Sequence, residues 1–160
     1  DVRNAAADAL AMIGMPAFPT LLALLRDDDK DLRDDAASAL SSIADPRDNR
    51  RDDETDEQAQ ARVQPPRDAL LAALNDQDEL IREGAARALK ELGQDIVPEL
   101  VGVLNNPSPV VRLQATRILG RIGNEASLAI GLLRERLNDT DVEVRQAAEA
   151  AVNSIHHPFP

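Results

Sequence analysis

Hydrophobic residues recur along this chain at helical rather than strand spacing, and the arrangement repeats. Aligning the segments on a hydrophobic residue followed by arginine sets Arg3, Arg33, Arg82, Arg112 and Arg145 in one column. Three positions on stand Ala6, Ala36, Ala85, Ala115 and Ala148, and seven on stand Leu10, Leu40, Leu89, Leu119 and Val152. Ten on stand Ile13, Ile43, Leu92, Ile122 and Ile155. Offsets of 0, 3, 7 and 10 share one side of a helix with 3.6 residues per turn, so each segment predicts an amphipathic helix. The next position holds Gly14, Ala44, Gly93, Gly123 and His156. Glycine there suits a helix that ends in a left-handed conformation.

A second helix lies upstream of four of these arginines. Six residues before them stand Asp27, Asp76, Asn106 and Asp139, and eight before stand Leu25, Leu74, Leu104 and Leu137. Four residues further back are Leu21, Leu70, Leu100 and Leu133, and Pro19 and Pro98 stand two residues ahead of that leucine in two copies. Proline is tolerated in the first turn of a helix because its missing N–H would have had no partner there. Each unit therefore reads as helix, short polar turn, helix, and the first anchor has only its second helix.

Successive arginines stand 30, 49, 30 and 33 positions apart. Two-helix units of about 30 residues stack into α-solenoids, because one hairpin cannot bury its apolar face alone. The pattern Leu-x-Asp-x-x-x-hydrophobic-Arg-x-x-Ala-x-x-x-Leu-x-x-Ile-Gly resembles HEAT repeats, in particular the short bacterial HEAT-like kind first noted in phycobilin lyases. The resemblance implies an all-α fold, an α-α superhelix: a right-handed α-solenoid of about four and a half hairpins. It divides residues 1–157 into a half repeat (1–14), repeats at 15–44, 67–93, 94–123 and 124–157, and an acidic inserted loop at 45–66, with a tail at 158–160.

The same resemblance assigns the recurrent Asp and Arg to a structural ladder between stacked repeats: Asp27 with Arg33, Asp76 with Arg82, Asn106 with Arg112 and Asp139 with Arg145. The pairing at Asn106 is expected to be weaker, since an amide brings no charge. In this family the outward positions of the second helices line the concave face, which here are offsets 5, 8 and 9 from each arginine. Those positions are acidic or neutral early in the chain (Asp8, Ser38), but in the middle copies they include Arg87, Lys90, Arg117 and Arg121. These four cations are the candidate partner-binding residues.

Net charge changes how that cluster reads. The chain carries a formal −11, so a local positive patch opposes the field of the whole molecule and points to an acidic protein partner. The same negative charge argues against nucleic acid, as does the lack of Trp and Tyr, since only Phe18 and Phe159 could serve as stacking platforms. No apolar run reaches the roughly 20 residues that span a bilayer, so no membrane role is expected. Without cysteine there is neither disulfide nor thiolate.

The insertion carries seven acids and four arginines between Asp45 and Gln64 and reads as an exposed loop. The stretch TDEQAQARV could form two helical turns capped by Thr55 before Pro65 stops it. No Asp-x-Asp-x-Asp-Gly spacing accompanies its carboxylates, and the only histidines, His156 and His157, are adjacent and point apart, so no metal site is expected. Iron-binding His-Glu pairs and basic aromatic clefts, which some enzymes of the family use, are absent. The chain is therefore expected to be a non-catalytic interaction or scaffold module without cofactors. The alternatives are a chromophore-lyase-type subunit and a structural spacer in a multidomain protein. It reads as a piece of a longer protein whose location the sequence leaves open, the cytoplasm favoured and export still allowed. Val2, Ala6, Leu10 and Ile13 of its first helix are expected to face an upstream repeat or to drive self-association.

Overall fold

A computed structural model describes residues 9–48 and 53–156 of the chain. The expected helix over 1–14 is described only from residue 9, so Val2, Arg3, Ala6 and Asp8 lie outside the described residues, as does His157. Residues 9–13 are helical, and eight α-helices follow: α1 (Phe18–Leu24), α2 (Lys30–Ala44), α3 (Asp56–Ala73), α4 (Glu79–Glu91), α5 (Val97–Val103), α6 (Pro109–Ile122), α7 (Ile130–Arg136) and α8 (Val142–His156). The described residues contain no strand. They fall into two compact units, one up to Leu92 and one from Gly93, a division at a repeat boundary in the sequence.

Within the first unit α1 packs on α2 and α3 on α4, and α2 lies against α4; within the second, α5 packs on α6 and α7 on α8, and α6 lies against α8. The repeat column accounts for this stacking. Ala36, Ala85, Ala115 and Ala148 are all fully buried, as are Leu40, Leu89 and Leu119 seven residues on from their arginines. Alanine at the first of these positions lets neighbouring helices approach, and leucine at the second fills the space between them. Beside the columns, glycine appears at two still closer approaches. A Cβ on Gly84 would stand 2.5 Å from a methyl of the fully buried Leu25, and one on Gly120 would stand 3.0 Å from the Cα of Ala151. The hairpins end as expected: Gly14, Gly93 and Gly123 have φ of 72°, 59° and 72°. At Gly14 and Gly123 ψ is −141° and −135°, a region open in practice to glycine alone.

The turn inside each hairpin works differently from the expected pairing of Asp and Arg side chains. Nη1 of Arg33, Arg82, Arg112 and Arg145 donates to two backbone carbonyls of its own turn, beginning with those of Asp27, Asp76, Asn106 and Asp139 at 2.7 to 2.9 Å. The side chains of those four residues accept instead from the backbone N–H two residues on. Both jobs use an oxygen that Asn and Asp share, so Asn106 makes the same contacts as its three counterparts. A second device lies two residues further along. Asp29, Asp78 and Asp141 accept from backbone N–H groups of the following first turn and cap α2, α4 and α8.

A side-chain link between stacked repeats does form in the second unit. Arg112 donates Nε and Nη2 to the two carboxylate oxygens of Asp139, at 2.9 and 2.7 Å, with both residues 8% exposed. In the first unit the corresponding connection runs from Arg26, which reaches Asp78 at 2.7 Å and Asp76 at 3.6 Å, rather than from Arg33.

The insertion departs most from expectation. Only residues 45–55 link α2 to the next hairpin, because α3 starts at Asp56 and continues through Pro65 and Pro66. Thr55 caps it as anticipated, in a reciprocal box with Gln58. The prolines deprive the carbonyls of Ala61 and Arg62 of their helical donors. The helix continues because Ala59, Val63, Pro66, Leu70 and Ala73 form one buried face, whose period starts well before the prolines. Two contacts tie this segment down: Arg62 pairs with Glu54 at 3.0 Å, and the fully buried Arg67 donates Nε to the carbonyl of Ala44, at the C-terminus of α2.

A groove between the second helices of the second unit

The four candidate cations divide between the units and differ in what already holds them. In the first unit Arg87 is paired with Asp34 across the α2–α4 contact, and Asp34 also accepts from Lys30 at 2.6 Å. The Lys30 hydrogen bond is the largest influence holding the Asp34 carboxyl below its ordinary value, with Arg87 adding to it. Next to this pair the Ser38 hydroxyl donates to Glu91 at 3.4 Å. Burial is the main influence on the Glu91 carboxyl and raises it. Arg87 is thus a link between stacked helices, its charge shared with Asp34. Lys90 is exposed and makes no ion pair or hydrogen bond with a described residue, though its charge acts on the Glu91 carboxyl beside it.

Arg117 and Arg121 in the second unit are both exposed, and neither makes an ion pair or hydrogen bond with any described residue. They stand one turn apart on α6 and line a groove of about 740 Å³ whose other wall is α8. The repeat builds this groove from small residues. Gly120 against Ala151 brings the helix backbones together and makes a shallow floor, which Ala147 and Ala150 continue along α8. The Ser154 hydroxyl donates to the Gly120 carbonyl at 2.8 Å and ties the two walls at one end.

Glu143 and Gln146 supply the polar groups of the α8 wall. Thr116 also lines the groove; it is fully buried, and its hydroxyl has no hydrogen-bond partner among the described residues. A buried hydroxyl left unpaired costs on the order of 1–3 kcal/mol. Neither Thr116 nor Gln146 stood out in the sequence, because the offsets used to find outward positions pass over both.

No group of three or more His, Cys, Asp or Glu residues able to hold a metal occurs among the described residues, and none of their helices is long and apolar enough to cross a membrane. The groove therefore offers two guanidinium groups, a carboxylate, an amide and a small apolar floor, which together suit binding.

Comparison with known proteins bears on the repeat itself. A family model of HEAT repeats matches residues 1–57 and 67–153. The chain belongs to the HEAT repeat family. The gap between the two matched stretches, 58–66, falls within the part of α3 that carries the two prolines. No curated protein matches. Among solved structures, an engineered protein is 26% identical, with a TM-score of 0.45 over 88% of this chain and 63% of its own. The archaeal HEAT-like repeats protein from Thermococcus onnurineus NA1 is 21% identical, with a TM-score of 0.43 over 95% of this chain and 60% of its own. A designed armadillo repeat protein is 18% identical, with a TM-score of 0.42 over 87% of this chain and 64% of its own. The chain thus spans less than two thirds of the length of each. HEAT repeats commonly mediate protein–protein interaction.

Proposed function

We propose that this HEAT repeat chain is a non-catalytic protein-binding module whose docking surface is the groove between α6 and α8, and that its partner is acidic. The observation that carries this reading is the pair Arg117 and Arg121. Both are exposed and unpaired, whereas Arg87 at an equivalent outward position is neutralised by Asp34. In a chain of net charge −11, two uncommitted guanidinium groups beside a shallow apolar floor attract carboxylates locally while the rest of the surface repels them.

The test uses the full chain and a fluorescein-labelled oligoglutamate at low ionic strength, read by anisotropy. The wild type binds it despite its own negative charge, and binding weakens as salt is added. Reversing both charges, Arg117→Glu with Arg121→Glu, lowers affinity at least about tenfold, the effect of placing like charges against the ligand. Both residues are exposed, so circular dichroism of the variant should match the wild type. Equal affinity of wild type and variant, or no binding by either, would remove the groove as the docking surface.

A further inference from the structure

Resting on that reading, we infer that the groove takes a segment of mixed charge, with acidic residues at the Arg117 and Arg121 end and a basic residue to one side of them, at the Glu143 end. Glu143 is the residue that selects the base.

Two contacts fix which ends of the helices lie together. Arg112, near the start of α6, pairs with Asp139, just ahead of α8. Ser154, near the end of α8, reaches the carbonyl of Gly120, near the end of α6. The two walls therefore run parallel, with Gly120 level with Ala151, whose Cα would stand 3.0 Å from a Cβ there. Counted from that level at the helical rise per residue, Arg121 stands about 1.5 Å beyond it, Arg117 about 4.5 Å before it and Glu143 about 12 Å before it. The order along the groove is thus Glu143, Arg117, Arg121, with about 7.5 Å of rise between the carboxylate and the nearer arginine.

Glu143 is exposed, and its carboxylate makes no ion pair or hydrogen bond with a described residue; its backbone N–H is the group that is engaged, by Asp141. The α6 residues that line the groove besides the two arginines are Thr116 and Gly120, so that wall offers Glu143 no cation at its own level. The first unit differs here, since its Arg87 is already closed by Asp34 across the two second helices. Exposed charges set apart by nearly a screening length of about 8 Å interact little with each other, so Glu143 and the arginines stay separately open to a ligand. A ligand that carries acids alone satisfies the arginines and meets repulsion if its acidic run extends past Glu143. A base at that point turns the repulsion into an attraction and fixes the register.

An acid in the first turn also stabilises its own helix, so the test reads selectivity rather than stability. Two end-blocked peptides of one composition and charge are titrated into the full chain at low ionic strength and followed by nitrogen-15-edited NMR. Lys-Gly-Glu-Gly-Glu places the base outside the acids, and Glu-Gly-Lys-Gly-Glu places it between them. The first can pair all three charges in order and the second only two at a time, so the first is expected to bind about three- to fivefold tighter, the worth of one exposed ion pair. Glu143→Gln should bring the two affinities together. Equal affinities in the wild type, no measurable binding of either peptide, or a preference that survives Glu143→Gln would overturn the inference and leave the acidic-partner reading standing, provided oligoglutamate still binds. Failure of oligoglutamate to bind would overturn both.

Discussion

Replacing Asp139 with alanine is expected to destabilise the second unit by about 3–5 kcal/mol, the usual cost of stranding one member of a buried ion pair. Asp139 accepts both hydrogen bonds from Arg112, a third from Arg136 at 3.3 Å, and the backbone N–H of Asp141 at 3.0 Å. Without the carboxylate, the Arg112 guanidinium is left nearly buried and uncompensated. The Arg112 hydrogen bonds are the largest influence on the Asp139 carboxyl, holding it down to about 2 from 3.8. A carboxyl that is lower in the folded state than in the unfolded one contributes stability above its unfolded value. That contribution disappears as pH falls through the folded value. The shift corresponds to about 2 kcal/mol, present above pH 4 and lost on approach to pH 2. Urea unfolding between pH 5 and 2 checks both effects: Asp139→Ala should show the loss at neutral pH, and Asp139→Asn should flatten the acid-side decline relative to wild type. Joint replacement, Arg112→Met with Asp139→Leu, should recover part of the neutral-pH loss, since it removes the Arg112 charge while Arg136 and the Asp141 N–H still lose their acceptor. A neutral-pH loss below about 1 kcal/mol for Asp139→Ala would show the pair to be solvated.

Leu119→Ala is the second large expectation, at about 2–5 kcal/mol. Leu119 is fully buried on α6, in the column that Leu40 and Leu89 occupy in the first unit. Truncation removes burial and leaves a cavity between helices already held close by Ala115 and Gly120, which limits how far they can collapse onto it. Leu128→Ala serves as the comparison, since Leu128 is 84% exposed and should change stability by less than about 0.5 kcal/mol. Chemical denaturation of both variants at neutral pH decides the matter. Similar losses in the two would mean that the repeat column does not mark the core.

Periodicity made the fold legible because the requirement it encodes recurs in every copy. An alanine that must let two helices touch, or a glycine that must turn at positive φ, shows itself through repetition. The contacts that the sequence reading missed are those made once. Arg87 matches Asp34 only because α2 and α4 stack in one particular register, and no spacing along the chain announces a partner 53 residues away. Arg67 falls in no column of the repeat, yet it is fully buried against the end of α2. Pro65 signalled a helix stop, but the apolar period from Ala59 to Ala73 outweighed it and Pro66 after it. The capping residues Asp29, Asp78 and Asp141 were legible in principle, as an acid four residues before the arginine in three copies, with Ser108 in the fourth. Of the proposed groove, the sequence showed the two arginines but not the floor, because Gly120 and Ala151 matter only once two helices are packed together.

The account rests on Arg117 and Arg121 standing over a groove that takes an acidic segment. The most direct test is a nitrogen-15-edited NMR titration of the full chain with oligoglutamate, mapping which amides move. Shifts should concentrate in residues 116–121 and 143–154 and vanish in the Arg117→Glu, Arg121→Glu variant. Shifts centred instead on Lys90, or spread evenly over both units, would contradict it.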